Sequence, residues 1–225
     1  MQPSQFQIDF ATAAATVENQ DRVTFLEYPQ GLLLIIADGA GGMGGGAEAA
    51  ELVIQIVTKT VGPQTEFANP LIWCNILQVA DNRLLAHRLA GETTAVIIAV
   101  SNDTIYGASV GDSGAFLIQE QTDFELTAQQ QHKPLLGSST AIPIAYGPIP
   151  FHGTLLLATD GLIKYAPMAK IHQIVLNNPI ESVAQSLIES VRYPSGNLAD
   201  DVSVIVCKGL STFAKSFITF WSPNL

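Results

Sequence analysis

The feature that most restricts the fold is a series of short, unbroken apolar runs, each bounded by turn-forming residues. Gly31–Ala37, Thr94–Val100, Thr104–Val110, Ala115–Gln119, Thr154–Thr159 and Val202–Cys207 all have this form. Runs this short, without alternation, predict strands buried on both faces. Crossing a bilayer takes a helix of about 20 apolar residues, so none of the runs is a membrane span. Ser101-Asn102-Asp103 predicts a hairpin turn between the second and third runs, and Val110–Ser113 turns the chain once more. An antiparallel meander is therefore expected in the middle of the sequence.

Helical signals fall in two pairs. Ala47–Val61 has apolar residues at helical spacing, and Pro70–Leu89 opens with Pro at a favourable first-turn position. Further on, Ile171–Leu176 and Ile180–Val191 form a second pair, the latter opened by Pro179. Strands and helices do not alternate strictly, which disfavours a doubly wound parallel sheet and favours antiparallel sheets covered by helix pairs. Residues 127–152, Gln-rich and then rich in Ser, Gly and Pro, read as a loop or lid. Near the end, Phe213, Phe217, Phe220 and Trp221 share one helical face. Packing on the chain's own domain is the plain reading, and a C-terminal docking segment over 209–225 is the alternative.

A chain of 225 residues, 48% hydrophobic and only 13% charged, is globular and fits one domain over 1–225. Its 10 basic and 20 acidic residues leave a net charge of −10. That field argues against nucleic acid and membrane as partners. Cys74 and Cys207 are the only cysteines, so a reducing compartment is expected over a disulfide framework. No basic region or secretory signal opens the sequence, and the first Arg or Lys is Arg22. The expected location is the cytoplasm.

Three acids stand at the ends of the apolar runs: Asp38 after Ala37, Asp160 after Thr159, and Asp200 just before Val202. Carboxylates gathered at one sheet edge repel one another and have raised pKa values unless a cation is present. Few Lys or Arg residues lie near them, so a metal is the natural counter-charge. Oxygen ligands select hard ions such as Mg²⁺ or Mn²⁺. A single Asp-Gly is most simply a turn; two after apolar runs, with Asp200-Asp201 before a third, point to a site.

Two other motifs lack their context. Gly39-Ala40-Gly41-Gly42-Met43-Gly44 matches the dinucleotide fingerprint G-x-G-x-x-G. The next element is a second helix where a parallel strand is required, and Asp38 would sit badly beside a pyrophosphate. Gly111-Asp112-Ser113-Gly114 is similar to the nucleophile loop of trypsin-like proteases, but His87 lies in a helical stretch and not in a matching setting.

Taken in order, Asn19-Gln20-Asp21, Ala37-Asp38-Gly39-Ala40-Gly41-Gly42, Thr93-Thr94-Ala95, Val110-Gly111-Asp112-Ser113, Thr159-Asp160-Gly161 and Asp200-Asp201-Val202-Ser203 make a pattern. It resembles the protein phosphatase 2C family of metal-dependent Ser/Thr phosphatases, from about Asn19 to Cys207. The resemblance implies an α+β fold, a four-layer α/β/β/α sandwich of two mainly antiparallel sheets flanked by helix pairs. It implies two ions, Mg²⁺ or Mn²⁺, with Asp38 bridging them and the Gly39 backbone oxygen on one. Asp160 and Asp200 would hold the other, and Asp21 would bind through water. The implied reaction is in-line hydrolysis of phosphoserine or phosphothreonine in a phosphoprotein by a water activated between the cations.

The chain also departs from the family pattern. Thr16 stands where an Arg usually grips the phosphate, and Thr cannot offer that planar, bidentate partner. Gln20 replaces a common Glu, Ala40 a His of some members, and Gly114 an Arg. Lys164 stands where a second Asp helps Asp112 hold a third ion, so two ions at most are expected. The Lys164 ammonium either pairs with Asp112 or extends into solvent. The segment after Thr127 is shorter than the usual flap. Three functions are weighed: a phosphoprotein phosphatase, a catalytically weak phosphatase-like module that binds a phosphoprotein, and, remotely, a dinucleotide-binding oxidoreductase. Nothing in the sequence sets the oligomeric state.

Overall fold

The computed structural model describes residues 5–40, 44–87 and 90–210. The first half of the chain runs β1 (Phe6–Ala13), β2 (Asp21–Tyr28), β3 (Gly31–Ala40), α1 (Gly46–Thr60), α2 (Pro70–Ala86), β4 (Glu92–Thr93), β5 (Ala95–Ser101) and β6 (Thr104–Val110). The second half runs β7 (Gly114–Ile118), β8 (Asp123–Glu125), β9 (Ile144–Pro150), β10 (Thr154–Ala158), α3 (Asp160–Ile163), α4 (Met168–Asn177), α5 (Ile180–Val191) and β11 (Val202–Gly209). One sheet has the order β1-β11-β10-β7-β8 and the other β2-β3-β5-β6-β9, with β4 paired to the end of β3. Every ladder among the described residues is antiparallel.

The unbroken apolar runs follow from the layering. On β3, Leu33 and Ile35 pack against α1 and α2, while Leu32, Leu34 and Ile36 pack between the sheets. On β10, Leu156 and Ala158 face α4 and α5, while Leu155 and Leu157 face inward between the sheets. Both faces of each central strand are covered, so both sets of alternate residues are apolar. The expected four-layer α/β/β/α sandwich is the observed one, with α1 and α2 on one outer face and α4 and α5 on the other.

Several local expectations change. The meander does not form: β5 and β6 make the hairpin, with Asn102 and Asp103 both left-handed (φ 49° and 54°) as a tight primed turn requires. The chain then crosses at Gly111–Ser113, and β7 joins the other sheet beside β10. Runs buried on both faces look alike whichever sheet they join, so the sequence does not mark the crossing. Residues 127–152, expected as loop, contain β9; Gly147, Pro148 and Pro150 disguise it, and its position at the sheet edge tolerates them. Strands β1 and β2, edge strands with alternating exposure, also lack a continuous run. Helix α2 stops at Ala86, short of Leu89. Part of the glycine cluster (41–43) and the tail aromatics Phe213, Phe217, Phe220 and Trp221 lie outside the described residues.

Candidate metal centre

Strand parity builds the site. Leu32, Leu34 and Ile36 face the inter-sheet space, so the next residue of that parity is Asp38, within β3 and not in a turn after it. Gly39 and Ala40 extend the strand because β4 pairs with them. Across the β2–β3 ladder, Asp21 lies directly opposite Asp38, so two carboxylates share one face at neighbour distance. The same parity brings Ser203 of β11 inward, and with it Thr159, the residue that follows β10. The Thr159 hydroxyl donates to Asp21 Oδ2 at 2.9 Å and accepts the Ser203 backbone N–H at 2.9 Å.

Asp160 opens the short helix α3, Asp200 precedes β11, and Asp112 sits on the sheet-to-sheet crossing. Together with Asp38 and Gly39, these three line a single cavity of about 300 Å³. Asp21 lies behind it, 3% exposed, while Asp200 stands exposed at the rim. Clefts of about 430 and 660 Å³ lie elsewhere and gather fewer carboxylates. Glycine at 39 is a steric need: a Cβ there would collide with the Gly46 carbonyl at the start of α1. Thr94 secures the strand, its hydroxyl accepting the Asp38 N–H at 3.0 Å and pairing with Ser113 Oγ at 2.7 Å.

The acids are short of positive charge. Burial pushes Asp38 up to about 9, aided by repulsion from Asp21, Asp160, Asp200 and Asp112. Burial also pushes Asp21 up to about 7, against the lowering effect of the Thr159 hydrogen bond. Asp200, although at the rim, is raised by partial loss of solvent and by repulsion from Asp160. Asp21 Oδ1 and Ser203 Oγ are both buried without a hydrogen-bond partner. The cation drawn in is Lys164, whose Nζ contacts Asp160 Oδ2 and lies 3.6 Å from Asp112 Oδ2. It pairs with Asp112, as one of the two expected outcomes had it, and with Asp160 as well. As placed, no three acidic, His or Cys groups among the described residues are close enough to form an ion's shell unaided. An all-oxygen set with an orphaned buried carboxylate oxygen and raised pKa values nonetheless fits hard divalent cations.

Comparison with known proteins now bears on this arrangement. The family model described as Protein phosphatase 2C matches residues 13–193. The chain belongs to the protein phosphatase 2C family. The match covers Asp21, Asp38, Asp112 and Asp160 and stops short of Asp200 and β11. A Mycoplasma pneumoniae protein named "Putative protein phosphatase" is 33% identical over 130 residues, 49% of this chain. That alignment also spans only 49% of the relative's length. Among solved structures, a bacterial serine phosphatase superposes with TM-score 0.79 at 19% identity, covering 92% of this chain and 98% of that one. Serine/threonine phosphatase Stp1 from Staphylococcus aureus gives 0.78 at 18% identity over 91% and 95%. The catalytic domain of the serine/threonine phosphatase PstP, in complex with two manganese ions, gives 0.74 at 20% over 92% and 99%. At these identities the superpositions establish that the phosphatase 2C fold is shared.

Some residues of this site carried no role in the sequence reading. Thr159, next to Asp160, is the hydroxyl support of Asp21, and the Ser203 backbone N–H in turn holds Thr159. Asp201 turns out to be a tether: its Oδ1 accepts the Ala15 N–H at 2.8 Å and its Oδ2 the Gln20 N–H at 2.7 Å. Lys133 also lines the cavity, although it lies in a segment expected only to be a loop or lid.

Proposed function

We propose that this chain is a metal-dependent protein phosphatase that hydrolyses phosphoserine and phosphothreonine in proteins, with two Mg²⁺ or Mn²⁺ ions. The observation that carries this reading is the cavity where Asp38, Asp160 and Asp200 gather, backed by buried Asp21, with too little positive charge for so many acids. Asp38 with the Gly39 carbonyl, and Asp160 with Asp200, would hold the ions, and Asp21 would act through water. Bound divalent cations supply the counter-charge and Lewis acidity for in-line attack of water on phosphorus, with the serine or threonine oxygen leaving. The chain's part is to fix geometry. The β2–β3 ladder locks Asp21 to Asp38, Thr159 orients Asp21, and the open Asp200 rim admits a side chain carried on a larger protein. Binding energy from that protein's surface compensates for a thin grip on the phosphate itself.

One observation favours a second reading, a phosphoprotein-binding module of low turnover: the Lys164 ammonium sits on Asp160, a proposed ligand. The oxidoreductase reading loses its footing, because the glycine segment follows a strand of an antiparallel sheet, and the described residues form no parallel β–α–β unit. Phosphopeptide hydrolysis with and without Mn²⁺, with Asp160→Ala as control, tests the proposal. We expect turnover that requires the ion and disappears in the variant. Tight phosphopeptide binding without turnover in saturating Mn²⁺ would establish the module instead.

A further inference from the structure

We infer that Lys133 is the cation that grips the substrate's phosphoryl group, presented by a loop whose course is fixed on both sides. The inference rests on the phosphatase reading above.

A phosphoryl dianion entering a cavity lined with carboxylates needs a positive side chain besides any ions. Thr16, at the position of the family's arginine, is exposed and does not line the cavity. Two lysines stand close. Lys164 is engaged with Asp160 and Asp112. Lys133 lines the cavity and, among the described residues, forms no ion pair.

The backbone around Lys133 is held on the cavity side. The Gly111 N–H donates to the Gln131 carbonyl at 3.2 Å, and Gln130 Nε2 donates to the Ser113 carbonyl at 2.7 Å. Beyond Lys133, Leu136 and Thr93 exchange two backbone hydrogen bonds of 3.0 Å, and the Thr93 hydroxyl donates to the Asp38 carbonyl at 2.7 Å. The far side is anchored by Asp81 of α2, a fully buried carboxylate. Its Oδ1 accepts the N–H groups of Gly137 at 2.7 Å and Ser139 at 3.0 Å, and its Oδ2 that of Ala141 at 3.3 Å. The segment is therefore a fixed wall and not a lid. Holding the segment on both sides of Lys133 lowers the ordering cost of a phosphate contact. Asp81 is a positioning residue in this scheme.

The test uses the full chain loaded with Mn²⁺, a phosphopeptide for kinetics and inorganic phosphate for calorimetry. Lys133→Ala should raise KM and the phosphate Kd roughly ten- to a hundredfold, as loss of a charge-assisted hydrogen bond predicts. Mn²⁺ affinity should stay within twofold, and Lys133→Arg should restore most of the loss. Asp81→Asn should raise KM more than it lowers kcat in the fraction that remains folded. KM and phosphate Kd within twofold of wild type in Lys133→Ala would overturn the inference, as would no measurable phosphate binding by the wild type. A wild type without Mn²⁺-dependent turnover would sink the phosphatase reading alone, because the phosphate titrations still decide the role of Lys133.

Discussion

Asp81 on α2 and Asp38 on β3 are both carboxylates withdrawn from solvent, and the fold treats them in opposite ways. Asp81 is surrounded by donors, taking three backbone N–H groups of the 137–141 segment and a longer contact from Gln78. Asp9 and Asp201 are treated similarly, receiving the N–H groups of Ala184 and of Ala15 and Gln20. Asp38 receives no side-chain hydrogen bond among the described residues. It faces Asp21, Asp160, Asp200 and Asp112, and its pKa rises to about 9. A carboxylate ringed by N–H groups is scaffold. One ringed by other carboxylates and left without donors stays protonated unless a cation offsets the repulsion.

Substitution breaks the comparison most sharply. Asp38→Ala or Asp160→Ala should lower Mn²⁺-dependent phosphopeptide hydrolysis by at least about a hundredfold, since even residues behind a metal's ligands are worth ten- to a hundredfold. Neither change should lower the stability of the ion-free protein. Asp81→Ala should do the reverse, costing about 3 kcal/mol in urea denaturation by orphaning buried N–H groups. A destabilised Asp38→Ala with an unaffected Asp81→Ala would erase the distinction.

The next effect appears in pH dependence. An unfolded Asp titrates near 3.9, whereas the ion-free fold holds Asp38 near 9 and Asp21 near 7. Between those limits the folded chain binds more protons than the unfolded one, so its stability falls as pH rises. The contribution is complete below about pH 4 and is lost as pH climbs through the folded values. The Tm of ion-free protein should therefore drop from pH 5 to 9, and Asp38→Asn should flatten the drop. Mn²⁺ should raise Tm most at the alkaline end, because binding an ion releases those protons. An ion-free Tm that stays level or rises over this range would contradict the reading of Asp38.

What was legible in the sequence depended on how each residue announces itself. Asp38, Asp160 and Asp200 stand at the ends of apolar runs, and burial on both strand faces makes such runs visible. Asp21 lies on the edge strand β2, whose alternating exposure hides it, so only the family resemblance drew attention to it. Asp81 sits mid-helix and gives no signal, because its partners are backbone N–H groups some 56 to 60 residues away. Lys133 was hidden for the same reason. Its place beside the cavity is set by hydrogen bonds to Gly111, Ser113 and Thr93, none of them adjacent in sequence. The crossing of the chain between sheets at Gly111–Ser113 was equally invisible, since a run buried on both faces does not record which sheet it joins.

The smallest expected effect concerns Lys164, which lies between the two kinds of carboxylate. Its ammonium gives Asp160 and Asp112 the counter-charge that Asp38 lacks, and contact with Asp160 raises its own pKa above the ordinary lysine value. The side chain is 53% exposed, so solvent screens the pairing and its worth stays within the range of surface ion pairs. Removing it by Lys164→Met frees an Asp160 oxygen and deletes a positive charge beside the cavity. Both changes favour an incoming cation, so Mn²⁺ should bind about threefold more tightly by calorimetry. The gain should shrink at high salt. Lys164→Arg should bind Mn²⁺ as the wild type does, and Lys164→Asp, placing a carboxylate near Asp112, should add a further weak site to the isotherm. Weaker Mn²⁺ binding by Lys164→Met would mean that the ammonium supports the ion-holding geometry of Asp160 and does not compete for it.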